Sequence, residues 1–300
     1  MFIGFRAIQR NKKYSRISIV TQFKLKLYKR NMASTTDQQE KGTTNKVTLE
    51  STAKQLPTPI LSSSPGLTMY QLFDGKGENE GGSSTFTYLI SCDTSKRAIL
   101  IDPVLEQVER DSTLINTLGL SLKYCLNTHC HADHVTGSGQ LKQIFSECQS
   151  CISQASGAKA DIYFEPNQKF EWAPGHVLNI LATPGHTSGC VCFYDSQLGV
   201  FTGDTLMIGG CGRTDFQEGD ADQLYDSVYE RLFVLPDDTI VYPAHDYKGN
   251  TSSTIGVEKT TNPRLSKTKS DFVKIMENLN LSYPGKIDIA VPANMKCGVF

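Results

Sequence analysis

The run Thr128-His129-Cys130-His131-Ala132-Asp133-His134 places three imidazoles and a carboxylate within six positions. Such groups are costly to bury unpaired, and a divalent metal ion is a partner that suits all four. In an extended segment, side chains two apart point the same way. His129 and His131 are therefore expected to converge on one ion, with Asp133 and His134 reaching a neighbouring position. Three more candidate ligands, His186, Asp204 and His245, each stand just after an apolar, strand-like run. Taken singly, a His or Asp there is an ordinary cap or turn residue; repeated three times beside a histidine cluster, the pattern favours ligation. Gly185 is expected to let the backbone pass where a side chain would block His186 from the ion. His176 is left over and is read as structural.

These residues need strands that end at a common edge. Apolar runs with short periodicity predict strands over 69–73, 86–91, 98–101, 122–126, 151–154, 177–182, 191–194, 200–202 and 240–242. Helical spacing of apolar residues predicts helices over 105–118, 138–145, 221–233 and 271–279, the last with Ser270 placed to cap it. Glycines 75, 77, 81 and 82 lack the Lys-Ser/Thr ending of a phosphate loop and are read as a turn. Two strand-rich halves with helices between them predict an α/β protein, with two mixed sheets packed together and covered outside by helices.

Composition narrows the partners. Residues 1–31 carry nine Lys and Arg and no acid, which leaves 21 basic against 31 acidic residues over 32–300. An acidic body argues against nucleic acid. The basic, acid-free start fits a transit peptide over 1–31, followed by a disordered linker over 32–66 and one catalytic domain over 67–300. No apolar run reaches the ~20 residues of a membrane span. Nine scattered cysteines suit reduced thiols in an intracellular compartment. The Cys148/Cys151 and Cys190/Cys192 pairs are read as buried thiols, and the roles of Cys130, Cys211 and Cys297 are left open.

His129-x-His131-x-Asp133-His134, followed in order by His186, Asp204 and His245, resembles the metallo-β-lactamase superfamily. That resemblance implies an αβ/βα sandwich with its metal site at the sheet edges. Within the superfamily, six stretches look like the mitochondrial persulfide dioxygenases: 100–105, 127–134, 210–217, 242–247, 262–265 and 291–295. The resemblance covers the chain from about Leu67 onward. It implies a single Fe(II) held by His129, His186 and Asp204, with His131, Asp133, His134 and His245 orienting ligands and substrate. Spacing alone leaves open a second ion on those four residues, as in the zinc hydrolases of this fold.

The activity so implied is oxidation of glutathione persulfide by O2 to sulfite and glutathione in the mitochondrial matrix. Arg213 and Tyr247 are the expected substrate contacts, because a guanidinium fork can grip the tripeptide's carboxylates. A structural salt bridge and a packed aromatic are the competing roles for these two residues. The expected partners are the persulfide and O2, with a homodimer left open. The rival reading is a binuclear thioester hydrolase of the glyoxalase II type. Those enzymes carry His where this chain has Cys130 and a helical C-terminal domain, whereas only 55 residues with one clear helix follow His245 here. A non-catalytic protein keeping the fold would be expected to have lost ligands, and none is missing.

Overall fold

The computed structural model describes residues 66–75 and 82–299. The expected transit segment 1–31, nearly all of the linker 32–66 and positions 77 and 81 of the first turn lie outside the described residues.

The strands form two mixed six-stranded sheets, in the order β1-β2-β3-β4-β5-β6 and β12-β11-β10-β9-β8-β7. The first contains β1 (Leu67–Phe73), β2 (Phe86–Cys92), β3 (Arg97–Ile101), β4 (Ser121–Leu126), β5 (Gln149–Ser153) and β6 (Ile162–Phe164). The second contains β7 (Lys169–Ala173), β8 (His176–Ala182), β9 (Val191–Asp195), β10 (Gly199–Gly203), β11 (Ile240–Pro243) and β12 (Ser253–Thr254). Strand β3 runs parallel to β4, and β10 parallel to β11. Their C-terminal ends therefore open on the same edges of the sheets, where the ligands follow.

Alternation along the strands builds three layers of core. From β2, Phe86, Tyr88 and Ile90 point between the sheets, where they meet Trp172, Leu178, Ile180, Phe193 and Phe201. Leu89 points the other way, joining Leu100 under Val108, Leu114 and Ile115 of the helix α1 (Val108–Thr117) and Leu141 of α2 (Ser138–Ile144). On the far sheet, Val200 and Val241 face outward beneath Leu224 of α3 (Ala221–Ser227), Ile255 of α4 (Ile255–Thr261) and Phe272 of α5 (Lys269–Glu277). A period of two sorts each strand's apolar residues onto both faces, which only a helix-covered sandwich can bury. Phe193 is fully buried between the sheets, and its truncation to Ala would cost about 3–5 kcal/mol.

Several expectations need correction. Helix α5 begins at Lys269, and its cap is Thr268, whose hydroxyl accepts from the Asp271 amide at 3.2 Å; Ser270 lies inside the helix. Three helices follow His245, namely α4, α5 and α6 (Ile287–Asn294), where one was expected. Helix α6 escaped notice because Pro292 sits inside it, and α4 because its Gly, Val and Thr residues are weak helix formers. The expected 221–233 helix is α3 continued by a π turn over Val228–Leu232.

Candidate metal centre

Four chain segments meet at the edge where the strands end. The loop after β4 brings His129 to His134, the turn after β8 brings His186, and Asp204 and His245 directly follow β10 and β11. The two sheets are tied together here: the Val191 amide donates to the Thr128 carbonyl at 2.9 Å, and the Phe86 amide to the Ala244 carbonyl at 2.7 Å. Gly185 is required for a reason other than the one expected. Its φ is +135°, and a Cβ there would lie 2.3 Å from the backbone of Leu224, so the constraint is the passing helix α3 and not access to an ion.

Two groups of potential ligands lie side by side. His129, His186 and Asp204 form one; His131, Asp133, His134 and His245 form the other. His129 and His131 thus part company despite ring centroids only 4.0 Å apart. The reason is Asp102, whose Oδ1 stands 3.0 Å from His131 Nε2 and turns that ring away.

In the first group the hydrogen bonds fix which nitrogen is free. His186 Nδ1 lies 2.6 Å from the carbonyl of Arg213, which can only accept, so Nδ1 carries the proton and Nε2 keeps its lone pair. The Thr128 hydroxyl donates to Asp102 and accepts from His129 Nδ1 at 3.0 Å, with the same result. Both free Nε2 atoms face Asp204 Oδ2, at 3.9 Å from His129 and 3.6 Å from His186. Burial, then the neighbouring His131, hold the His129 pKa well below its ordinary value, so the ring is neutral and able to ligate. These spacings are close to those of ligand atoms gathered about 2.0–2.2 Å around one ion. Two imidazoles and one carboxylate, with donor atoms uncommitted, fit Fe(II) with positions left open.

The second group is bonded within itself. His245 Nδ1 lies 2.6 Å from Asp204 Oδ1, and its Nε2 lies 2.8 Å from Asp133 Oδ2. Burial works against charge on His245, yet Asp133 and Asp204 on either side overcome it and hold its pKa well above the ordinary value. His134 Nδ1 also meets Asp133 Oδ2, at 2.9 Å, and the buried Thr85 hydroxyl touches His245 Nε2 at 3.1 Å. Two buried nitrogens, His131 Nδ1 and His134 Nε2, have no hydrogen-bond partner among the described residues.

A cavity of about 680 Å³ opens on both groups, through His186 and Asp204 of the first and Asp133 and His245 of the second, and is walled further by Arg213, Phe216, Tyr247 and Arg264 among others. Arg213 faces it with a committed fork: Nε and Nη2 bind Asp215 at 2.6 and 2.7 Å, and Nη1 donates to the Ser282 carbonyl at 2.8 Å. Its guanidinium also lies over Phe216, 4.6 Å from the ring centre. Tyr247 is 69% exposed and lies parallel to His245, with ring centroids 6.2 Å apart. Arg264 was not singled out from the sequence. It donates Nη1 to the Cys211 carbonyl at 3.0 Å and has no carboxylate partner among the described residues.

Asp102 and Thr85 were also missed. Asp102 reads in sequence as a strand terminator before Pro103, yet its carboxylate accepts from the Thr128 amide and hydroxyl as well as meeting His131. Parallel pairing of β3 with β4 sets it beside the metal loop, and that pairing was the signal available. Cys148, Cys151, Cys190 and Cys192 are buried, as expected of them; burial pushes Cys130 up to about 11, so it is neutral and reaches neither ligand group. No helix among the described residues is long and apolar enough to cross a membrane.

Residues 81–245 match the family described as the Metallo-beta-lactamase superfamily. The chain is 55% identical over 218 residues to the human protein "Persulfide dioxygenase ETHE1, mitochondrial", a match spanning 72% of this chain and 85% of that one. The crystal structure of ETHE1 from Myxococcus xanthus superposes with a TM-score of 0.72 at 46% identity, covering 77% of this chain and 99% of the other. Hydroxyacylglutathione hydrolase GloC of Haemophilus influenzae matches at 36% identity over 195 residues, 58% of this chain and 90% of its own.

Proposed function

This chain belongs to the metallo-beta-lactamase superfamily and, within it, to the family of the ETHE1 persulfide dioxygenases, and from that premise we propose that it oxidises glutathione persulfide at one Fe(II) held by His129, His186 and Asp204. It is an oxidoreductase. In the balanced reaction the terminal sulfur takes both atoms of O2 and one oxygen from water, and glutathione leaves as the thiol. Bound to this ligand set, Fe(II) supplies redox chemistry and open positions that O2 and a sulfur can occupy.

The observation that carries the one-metal assignment is His245. Both of its ring nitrogens are spent on carboxylates, at hydrogen-bond distances of 2.6 and 2.8 Å, so it holds Asp204 Oδ1 and leaves Oδ2 for the ion. Carboxylate-to-imidazole contacts of this kind orient a ligand and raise its basicity. Asp133 braces His245 in turn, and Asp102 braces both Thr128 and His131.

The remaining residues of the cavity bind and place the tripeptide. Arg264 has a charge unmatched by any acid nearby and suits one of the glutathione carboxylates. Tyr247 offers an exposed ring and hydroxyl at the mouth. Arg213, its fork already filled, holds the wall built by Asp215, Phe216 and Ser282 against which the substrate lies.

A second reading, binuclear thioester hydrolysis, draws on one observation: the orphaned His131 Nδ1 and His134 Nε2 could face a second ion. The experiment is an O2-electrode assay on protein purified anaerobically. The proposal expects iron-dependent O2 uptake with glutathione persulfide and stoichiometric sulfite. Hydrolysis of a glutathione thioester with no O2 uptake would establish the alternative. The nine basic residues of 1–31 support a matrix location, which a fusion of residues 1–65 to a reporter tests by its import into mitochondria or retention in the cytosol.

A further inference from the structure

The loop that carries His129 to His134 is gripped from behind by a residue 160 positions away. Asn294, at the end of α6, is buried to 5% exposure. Its Nδ2 donates to the carbonyls of His131 at 2.8 Å and His134 at 2.9 Å, and its Oδ1 accepts from the Thr136 amide at 2.8 Å. Every one of these bonds goes to the backbone of one short turn. Buried carbonyls and amides need partners, and the His131 and His134 carbonyls and the Thr136 amide find theirs in one side chain. A primary amide alone among side chains of this size both donates twice and accepts. Aspartate would turn an oxygen toward two carbonyl oxygens.

The surroundings hold Asn294 in place. Ala290 and Ala293 of α6 pack on Val135, inside the same loop. Beyond the helix the chain turns at Gly298, where φ is +75° and a Cβ would lie 2.2 Å from the Thr136 carbonyl, so the tail closes directly on the turn. The Met295 carbonyl accepts from the Lys159 amide at 3.0 Å.

We propose that Asn294 is a positioning residue for the metal centre. By fixing the backbone of His131 to Thr136 it sets the direction of Asp133. Asp133 holds His245, and His245 holds the Asp204 oxygen that does not face the ion. The inference rests on the preceding assignment of Asp204 as a ligand, and it makes the C-terminal helix part of the metal site without touching either metal or substrate.

The test is Co(II) titration of the full chain, read by its visible absorption, beside thermal melting. Asn294→Asp keeps the acceptor for Thr136 and loses both donors; Asn294→Ala loses all three bonds. Phe272→Leu, in the core on the far side of the second sheet, is the destabilised control. Both Asn294 variants should bind Co(II) about 10- to 100-fold more weakly, with an altered spectrum, while Phe272→Leu lowers the melting temperature alone. Asn294 variants that melt early but keep wild-type Co(II) affinity and spectrum would overturn the proposal. On the wild-type chain, where folding is not in question, the Thr136 amide should exchange more slowly once Co(II) binds, and an unchanged rate would count equally against it. Wild-type stoichiometry and O2 uptake test the one-metal reading separately, so either idea can fail without the other.

Discussion

The two groups of metal-ligating side chains share one pocket and nearly one composition, yet the near atoms of the first are all free, whereas in the second only those of His131 and His134 are. In the group of His129, His186 and Asp204, hydrogen bonds to the Thr128 hydroxyl and the Arg213 carbonyl, and one with His245, occupy the far atoms and leave the near ones free. In the group of His131, Asp133, His134 and His245, the near atoms of Asp133 and His245 are bonded to each other. Residue types therefore nominate ligands, and the hydrogen bonds behind them decide which can serve. The same rule separates two arginines of the cavity: Arg213 is spent on Asp215 and Ser282, whereas Arg264 meets only the carbonyl and thiol of Cys211.

Replacing any of His129, His186 or Asp204 by Ala breaks the comparison at its strongest point. Iron binding and O2 uptake should vanish together, as metal analysis and an O2 electrode would show; activity that survives would move the ion elsewhere. His134→Ala and His245→Ala remove bracing only. Iron should remain, with affinity or turnover lowered roughly 10- to 100-fold. Total loss of metal from either variant would put the second group on an equal footing with the first.

Smaller effects should follow at the arginines. Arg264→Ala removes a charged partner for a substrate carboxylate, a loss of about 2 kcal/mol and some thirtyfold in KM, with iron content unchanged. Arg213→Lys breaks a bidentate pair that lies near the surface, so its melting temperature should fall by a few degrees and KM should rise only about threefold. The reverse ranking in steady-state kinetics would restore Arg213 as the carboxylate grip expected from the sequence.

Much of this site was legible before any coordinates. All seven ligand candidates were read from the chain because each is a metal-ligating type at a strand end, and the strands carry apolar runs that local rules detect. What escaped were residues whose partners are distant. Asp102 works through a loop 26 to 29 positions on, and Asn294 through one about 160 positions back. No local pattern encodes such a contact. Arg213 is a different case: its partner Asp215 is only two residues away, but sequence does not tell whether a guanidinium will bind its neighbour or a substrate. Strand β6 was missed because it has three residues, and α6 because of its proline.

Metal stoichiometry tests the central claim most directly. Wild-type chain, purified without oxygen and titrated with Fe(II), should bind one tight equivalent; His245→Ala should still bind one, more weakly; and Asp204→Ala should bind none. Two tight equivalents in the wild type, falling to one in His245→Ala, would contradict the account and make the self-bonded group a second metal site.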